Sequence, residues 1–293
     1  MQGQTRSHHR EECIMVMKKK KRITSGIITY GILIIALIWT IFPVYWMIKS
    51  SFTVSNEMYV ARPKLCSLHY TLENYIELFT ETHFPRALLN SVEIAGITTV
   101  ICLVISILGS YAMTRLNFPG RRFFRISSIF SYLIPTAVMF VPMYVFVSNL
   151  GFYDNKYSLL IIYPTTVVPY CCYMLMSYFE AIPTALEEAA LIDGCTRLKA
   201  LWHIIIPIAL PGIAVVATFA FTMSWNEYLY AMIMTTSTDQ QTAVVAINSF
   251  KYADSAIWGR IMAASVATSL PVTLIYIIAQ SQLVGGKSDG SVK

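Results

Sequence analysis

Ser91 to Thr114 reads SVEIAGITTVICLVISILGSYAMT, with Glu93 as its single charged residue. A helix needs about 20 mostly apolar residues to cross a bilayer. A soluble helix this uniform would have no polar face to turn to water. The same texture recurs at Ile23–Ile48, Ile126–Ser148, Ser158–Phe179, Ile208–Met234 and Arg260–Leu283. Over 293 residues, 56% are hydrophobic and 13% charged, with mean hydropathy +0.57. Soluble domains carry about 25% charged residues. The fold class is therefore an all-α polytopic membrane protein with six transmembrane helices.

Lys and Arg placement sets the expected orientation. A basic cytoplasmic arm, 1–22, carries Lys18 to Arg22 directly before the first span, 23–48. The second-to-third connection holds Arg115, Arg121, Arg122 and Arg125 with no acidic residue. The third-to-fourth loop holds only Lys156, and the long loop 49–90 mixes both signs. Both termini, the tail 284–293 included, are expected inside a cell membrane, with loop 49–90 outside. The +6 net charge then reports topology rather than nucleic-acid binding. Met17 before KKKKR reads as a natural start, with residues 1–16 as an accessory extension. The first span is too long for a signal-peptide core and is expected to be retained.

Enzymatic chemistry finds no footing. Glu187 and Glu188 are adjacent, so on a helix they diverge by about 100° and cannot act as a facing pair. No GxSxG or HExxH pattern occurs, and Cys171-Cys172 lack CxxC spacing, which fits small buried hydrophobes. Gly286-Lys287-Ser288 resembles the end of a phosphate loop, but Ser281 stands where its first glycine belongs. No metal or catalytic residue is expected, and the chain has no ATPase of its own.

The connection 180–207 is longer than two spans require, and it is charged. Pro183 ends the preceding segment, and Thr184 with Glu187 fits a capping box. Asp193-Gly194 reads as a helix stop, since glycine takes the left-handed conformation. Thr196 is placed to cap a second helix that ends before Pro207. Along it Leu198, Leu201, Trp202 and Ile205 form one apolar stripe. The product is a compact helical knob whose Ala189 and Ala190 permit close approach by another surface. The alternative is an interfacial amphipathic helix lying on lipid, although its acidic first turn would sit badly on an anionic leaflet. Trp225-Asn226-Glu227, within the fifth span, is the deepest polar group and a default functional candidate. With Tyr228 it offers aromatic rings beside hydrogen-bonding groups.

Glu188-Ala189-Ala190, Asp193-Gly194 and Ile204-x-Ile206-Pro207 resemble the EAA loop of ABC-importer permeases. LENYIELF at 72–79, Leu89-Asn90-Ser91, Asn117-Phe-Pro-Gly-Arg121, Trp225-Asn226-Glu227 and Ser269-Leu-Pro271 resemble the carbohydrate branch, specifically its maltose-type second permease subunit. The closing GGKSDGSVK is similar to that branch's tail, apart from Asp289 and a missing final glycine.

The resemblance implies a type I (MetI-like) permease core over 86–283. Its EAA loop would seat in a cleft of a separate ATPase subunit through Glu187, Glu188, Ala189, Ala190, Asp193, Gly194 and Pro207. It also implies a second homologous permease subunit, two ATP-binding subunits that hold ATP and Mg, and an extracytoplasmic solute-binding protein. The cargo would be a mono- or oligosaccharide; the alternatives are another solute such as glycerol-3-phosphate or, further off, a secondary transporter.

Overall fold

The computed structural model describes residues 28–59, 64–67, 69–250 and 258–285. The basic arm, residues 1–16 and the Gly286-Lys287-Ser288 tail lie outside the described residues. Regular structure in this range is helical, with one isolated antiparallel bridge between Thr53 and Tyr70.

The first helix, α1 (Ile28–Ser51), is apolar on all sides. Only its last residues, Lys49, Ser50 and Ser51, are buried. Loop 49–90 is structured rather than plain: it contains α2 (Ser55–Met58), α3 (Glu73–Thr80) and the first turns of α4 (Phe84–Arg115). The second span is therefore longer than Ser91–Thr114 at its start. It has Pro85 in its first turn, where a missing N–H costs nothing.

The third span departs from the expectation of one straight helix. Residues 126–148 fall into α5 (Arg121–Leu133) and α6 (Thr136–Asn149), which meet at 100°. The cause is Pro135, which lacks an amide donor and holds Ile134 in an extended conformation. Among the described residues, five helices are long and apolar enough to cross a membrane, or six if this bent pair counts as one.

A 3₁₀ turn, Lys156–Ser158, leads into α7 (Leu159–Glu180). The insert follows as α8 (Thr184–Ile192) and α9 (Arg197–Ala200). Here the sequence expectation fails again: the second insert helix does not stop before Pro207. A π turn at Leu201–Ile205 joins α9 to α10 (Ile206–Trp225) without interruption, the amide of Ile206 reaching back to the Leu201 carbonyl. One widened turn just before a proline lets the helix run through it. The fifth span thus runs 197–225 rather than 208–234, and Leu229–Met234 is a separate short helix, α11. Helices α12 (Ala243–Ser249) and α13 (Trp258–Gly285) complete the described residues.

The bundle is built around α4, which lies against α7 and α10, while α13 packs on α10, α3 and α12. Lipid tails supply no hydrophobic drive between helices, so close packing through small residues must hold such a bundle. Ala87, Ala243, Ala246, Ala263, Ala264 and Ala267 form such a contact among α4, α12 and α13. Gly212 does the same between α10 and α7, since a Cβ there would fall 2.4 Å from the Tyr178 ring. Cys102, Cys171 and Cys172 are buried free thiols in the packing between α4 and α7.

Candidate functional site

The bundle has two ends of different character. At one, α4 finishes at Arg115 and the insert crosses beneath it. Arg121 closes α4 there: its guanidinium donates to the carbonyls of Met113 (2.7 Å) and Thr114 (2.9 Å), and to the Asn117 side chain (2.9 Å). Gly120, at φ 86°, makes the turn that brings it back. The Asn117-Phe-Pro-Gly-Arg121 motif is therefore a helix cap.

In the insert, Gly194 has φ 85°. Its amide donates to Leu191 O (3.1 Å), and the Cys195 amide reaches Ala190 O (2.9 Å). This pair of bonds is the Schellman motif, and it needs a residue tolerant of the left-handed region. Thr196 caps α9 as expected, accepting from the Lys199 amide at 3.3 Å. The capping box at Thr184 does not form. Pro183 takes the N-cap position, and no side chain bonds there.

Glu187 is instead turned inward and is 4% exposed. It accepts from the Tyr111 hydroxyl, and its other oxygen faces Arg115 Nε at 3.5 Å, a charge contact rather than a hydrogen bond. The same guanidinium donates from Nη2 to Phe179 O (2.8 Å) and Ile182 O (2.6 Å). The two alanines also part company. Ala190 packs inward beside Glu187, whereas Ala189 lies outward with Glu188, Ile192, Asp193 and Gly194. Pro207 is exposed.

The apolar stripe of the second insert helix divides likewise. Leu201 and Ile205 are fully buried in the main core, while Leu198 and Trp202 are more than half exposed. Ile192 is 86% exposed. The knob therefore presents Ile192, Leu198 and Ala189, with Glu188 beside them, away from the rest of the chain. An apolar surface rimmed by charge is the usual mark of a protein contact.

The Trp225–Tyr228 group lies where α10 ends, and its members face different ways. Trp225 is buried and stacks on Phe221 at 5.4 Å. Glu227 caps α11, accepting from the amides of Tyr230 (3.1 and 3.2 Å) and Ala231 (3.2 Å). Tyr228 accepts from Asn248 Nδ2 at 2.8 Å and so ties α12 to this break. Asn226 is the most exposed of the four. It lines a cleft of about 360 Å³ with Ser265, Thr268, Ser269 and Thr273 of α13, and Val244 and Ile247 of α12. Those hydroxyls recur at three- and four-residue spacing, a polar periodicity visible in SVATSLPVT that the apolar search passed over.

The opposite end is pinned by a polar net. Lys156 pairs with Glu93 and donates to Asn90 Oδ1 at 3.0 Å, while Tyr157 donates to Glu93 at 2.9 Å. Asn90 donates to the carbonyls of Asp239 and Gln241, each at 2.9 Å. Arg260 pairs with Glu77, holding α13 to α3. Glu93 and Arg260 thus each belong to a separate structural ion pair, with Lys156 and with Glu77.

A helical bundle of this layout, broken at Asn226 and carrying a capped knob at one end, is a membrane permease core. Residues 105–284 match the family described as "Binding-protein-dependent transport system inner membrane component", and the chain belongs to that family. It is 35% identical to the "Inner membrane ABC transporter permease protein YcjP" of Escherichia coli (strain K12), covering 94% of this chain and 100% of that protein. It is 33% identical to the "Trehalose/maltose transport system permease protein MalG" of Thermococcus litoralis, covering 90% and 95%. Its fold matches the crystal structure of a bacterial ABC transporter involved in import of alginate. The TM-score is 0.76 at 21% identity, covering 87% of this chain and 95% of that one. It is a multi-pass permease subunit of the ABC type and is not itself a catalyst.

Proposed function

We propose that this chain carries a sugar inward across the cell membrane and takes its energy from a separate ATPase that grips the 180–207 knob. The observation that carries this reading is the surface of α8 and α9: Ala189, Ile192 and Leu198 face outward beside Glu188, on a fold fixed by Gly194. An outward apolar surface rimmed by charge is what a covering protein would bury. ATP and Mg belong to that partner. Two such ATPases, a second homologous permease and an extracytoplasmic solute-binding protein complete the assembly. The Lys and Arg distribution supports a knob, arm and tail on the inner side. The core takes in 86–283.

Sugar as cargo is supported by the names of the relatives and by the hydroxyl-rich cleft at Asn226, which offers hydrogen bonds on a partly apolar wall. Trp225, Glu227 and Tyr228 would then shape this pathway by holding its walls, with Asn226 as the group that meets solute. Cysteine cross-linking from Glu188, Ile192 and Leu198 to a co-expressed ATPase tests the grip; absence of any adduct from all three sinks it. Uptake of labelled maltose or trehalose by reconstituted vesicles tests the cargo. No saturable uptake of either, with the ATPase present and active, would remove maltose and trehalose as the cargo.

A further inference from the structure

The knob is joined to the bundle in two ways. One is covalent, through the short link from α7 and through the unbroken run of α9 into α10. The other is the buried set Tyr111, Arg115 and Glu187. Arg115 and Glu187 side chains are each 6% exposed, and they belong to α4 and α8 respectively. Tyr111, one turn before Arg115, is 4% exposed. Arg115 also donates to Phe179 O and Ile182 O, the last turn of α7 and the link itself. Tyr111 touches the Arg197 carbonyl at 3.4 Å as well, so α9 enters the same set. Four segments therefore converge on one carboxylate and one guanidinium. The helix they grip, α4, is the one against which both α7 and α10 lie.

A surface ion pair would yield readily under load, but a buried one cannot separate without leaving a bare charge in a low-dielectric interior. We infer that Glu187, Tyr111 and Arg115 form the joint that carries motion of the ATPase-gripped knob into α4. In this role Glu187 is a positioning residue. Glu188 faces out and meets the partner, whereas Glu187 faces in and holds the knob to the bundle. The inference rests on the coupling reading above.

The test uses the assembled transporter with its ATPase, reconstituted with the solute-binding protein. Glu187→Gln keeps the shape and an acceptor for Tyr111 while removing the charge; Tyr111→Phe keeps the charge pair and removes the hydroxyl. The ATPase should co-purify with both variants as it does with the unaltered chain. Solute moved per ATP hydrolysed should fall on the order of tenfold in Glu187→Gln, within the range of ordinary coupling energies, and less in Tyr111→Phe. Unchanged solute per ATP in both, with the ATPase retained, overturns the joint. Loss of co-purification also overturns it, because Glu187 would then be serving the docking surface.

Spin labels at exposed Ile192 and Val104 give a readout independent of transport. Their distance distribution should broaden in Glu187→Gln, and an unaltered one counts against the joint. If no ATPase accompanies the unaltered chain either, the coupling reading itself has failed and the joint falls with it.

Discussion

Glu187 and Glu227 are two inward-turned carboxylates beside helix breaks, and they are neutralised in opposite ways. Glu227 finds its partners three and four residues ahead, in the amides that open α11. Glu187 finds them more than 70 residues back, on α4. The first arrangement rests mainly on local chain geometry, with Tyr163 of α7 also facing the carboxylate. The second exists only if α4 and α8 have docked, so it reports on tertiary assembly. A local cap holds one turn together; a remote ion pair holds two helices together.

The comparison is tested most severely at the knob. Gly194→Pro removes a donated hydrogen bond and imposes a negative φ where the chain needs +85°. Transport should be abolished while membrane insertion, followed by protease accessibility, stays intact. Glu188→Lys should give the same loss by reversing a charge on the outward face. Normal uptake by either correctly inserted variant would break the assignment of that surface.

Arg115→Ala comes next. It leaves Glu187 buried without its counter-charge, at an expected cost of about 3–5 kcal/mol, read as thermal stability of the solubilised protein. Glu227→Ala should cost less, about 0.5–2 kcal/mol for a lost cap. If the two losses were equal, the distinction between remote and local neutralisation would have no energetic content.

The smallest effect is expected at Asp154, on the opposite end of the bundle, which accepts from the amide (2.7 Å) and hydroxyl of Ser237. These bonds hold its carboxyl below the usual aspartate range. A carboxylate depressed in the folded state contributes stability above its unfolded value, and the contribution is lost as pH falls through the folded one. Protection of the Ser237 amide, its exchange rate relative to a free peptide at the same pH, should therefore fall only under acid conditions, and Asp154→Asn should flatten that dependence.

What could be read from the sequence follows the same division. The spans, the Gly194 stop and the Thr196 cap were legible because each rests on composition or on residues within one turn. The 100° break in the third span was marked by Pro135 but hidden inside an otherwise continuous apolar run. Pro207 misled in the opposite direction: a proline ordinarily ends a helix, and nothing local announces a π turn that admits it. Glu187 was assigned to a cap because Thr184 sits at the right spacing. Its true partners, Tyr111 and Arg115, are distant in sequence, and single-sequence spacing has no access to them. Asn226 was found with its neighbours, but the division among Trp225, Asn226, Glu227 and Tyr228 depends on which way each side chain turns.

The π turn at Leu201–Ile205 has a mechanical consequence. Because it lets the helix pass Pro207, Arg197 to Trp225 is one rod of 29 residues, roughly 43 Å long at 1.5 Å per residue. The knob's second helix is one end of that rod, and the Asn226 cleft begins at the other. A tilt of about ten degrees around its middle would displace each end by about 4 Å, in opposite directions. A break at Pro207 would have decoupled the two ends. By widening a single turn, the chain has a lever with its fulcrum among the buried side chains of the core.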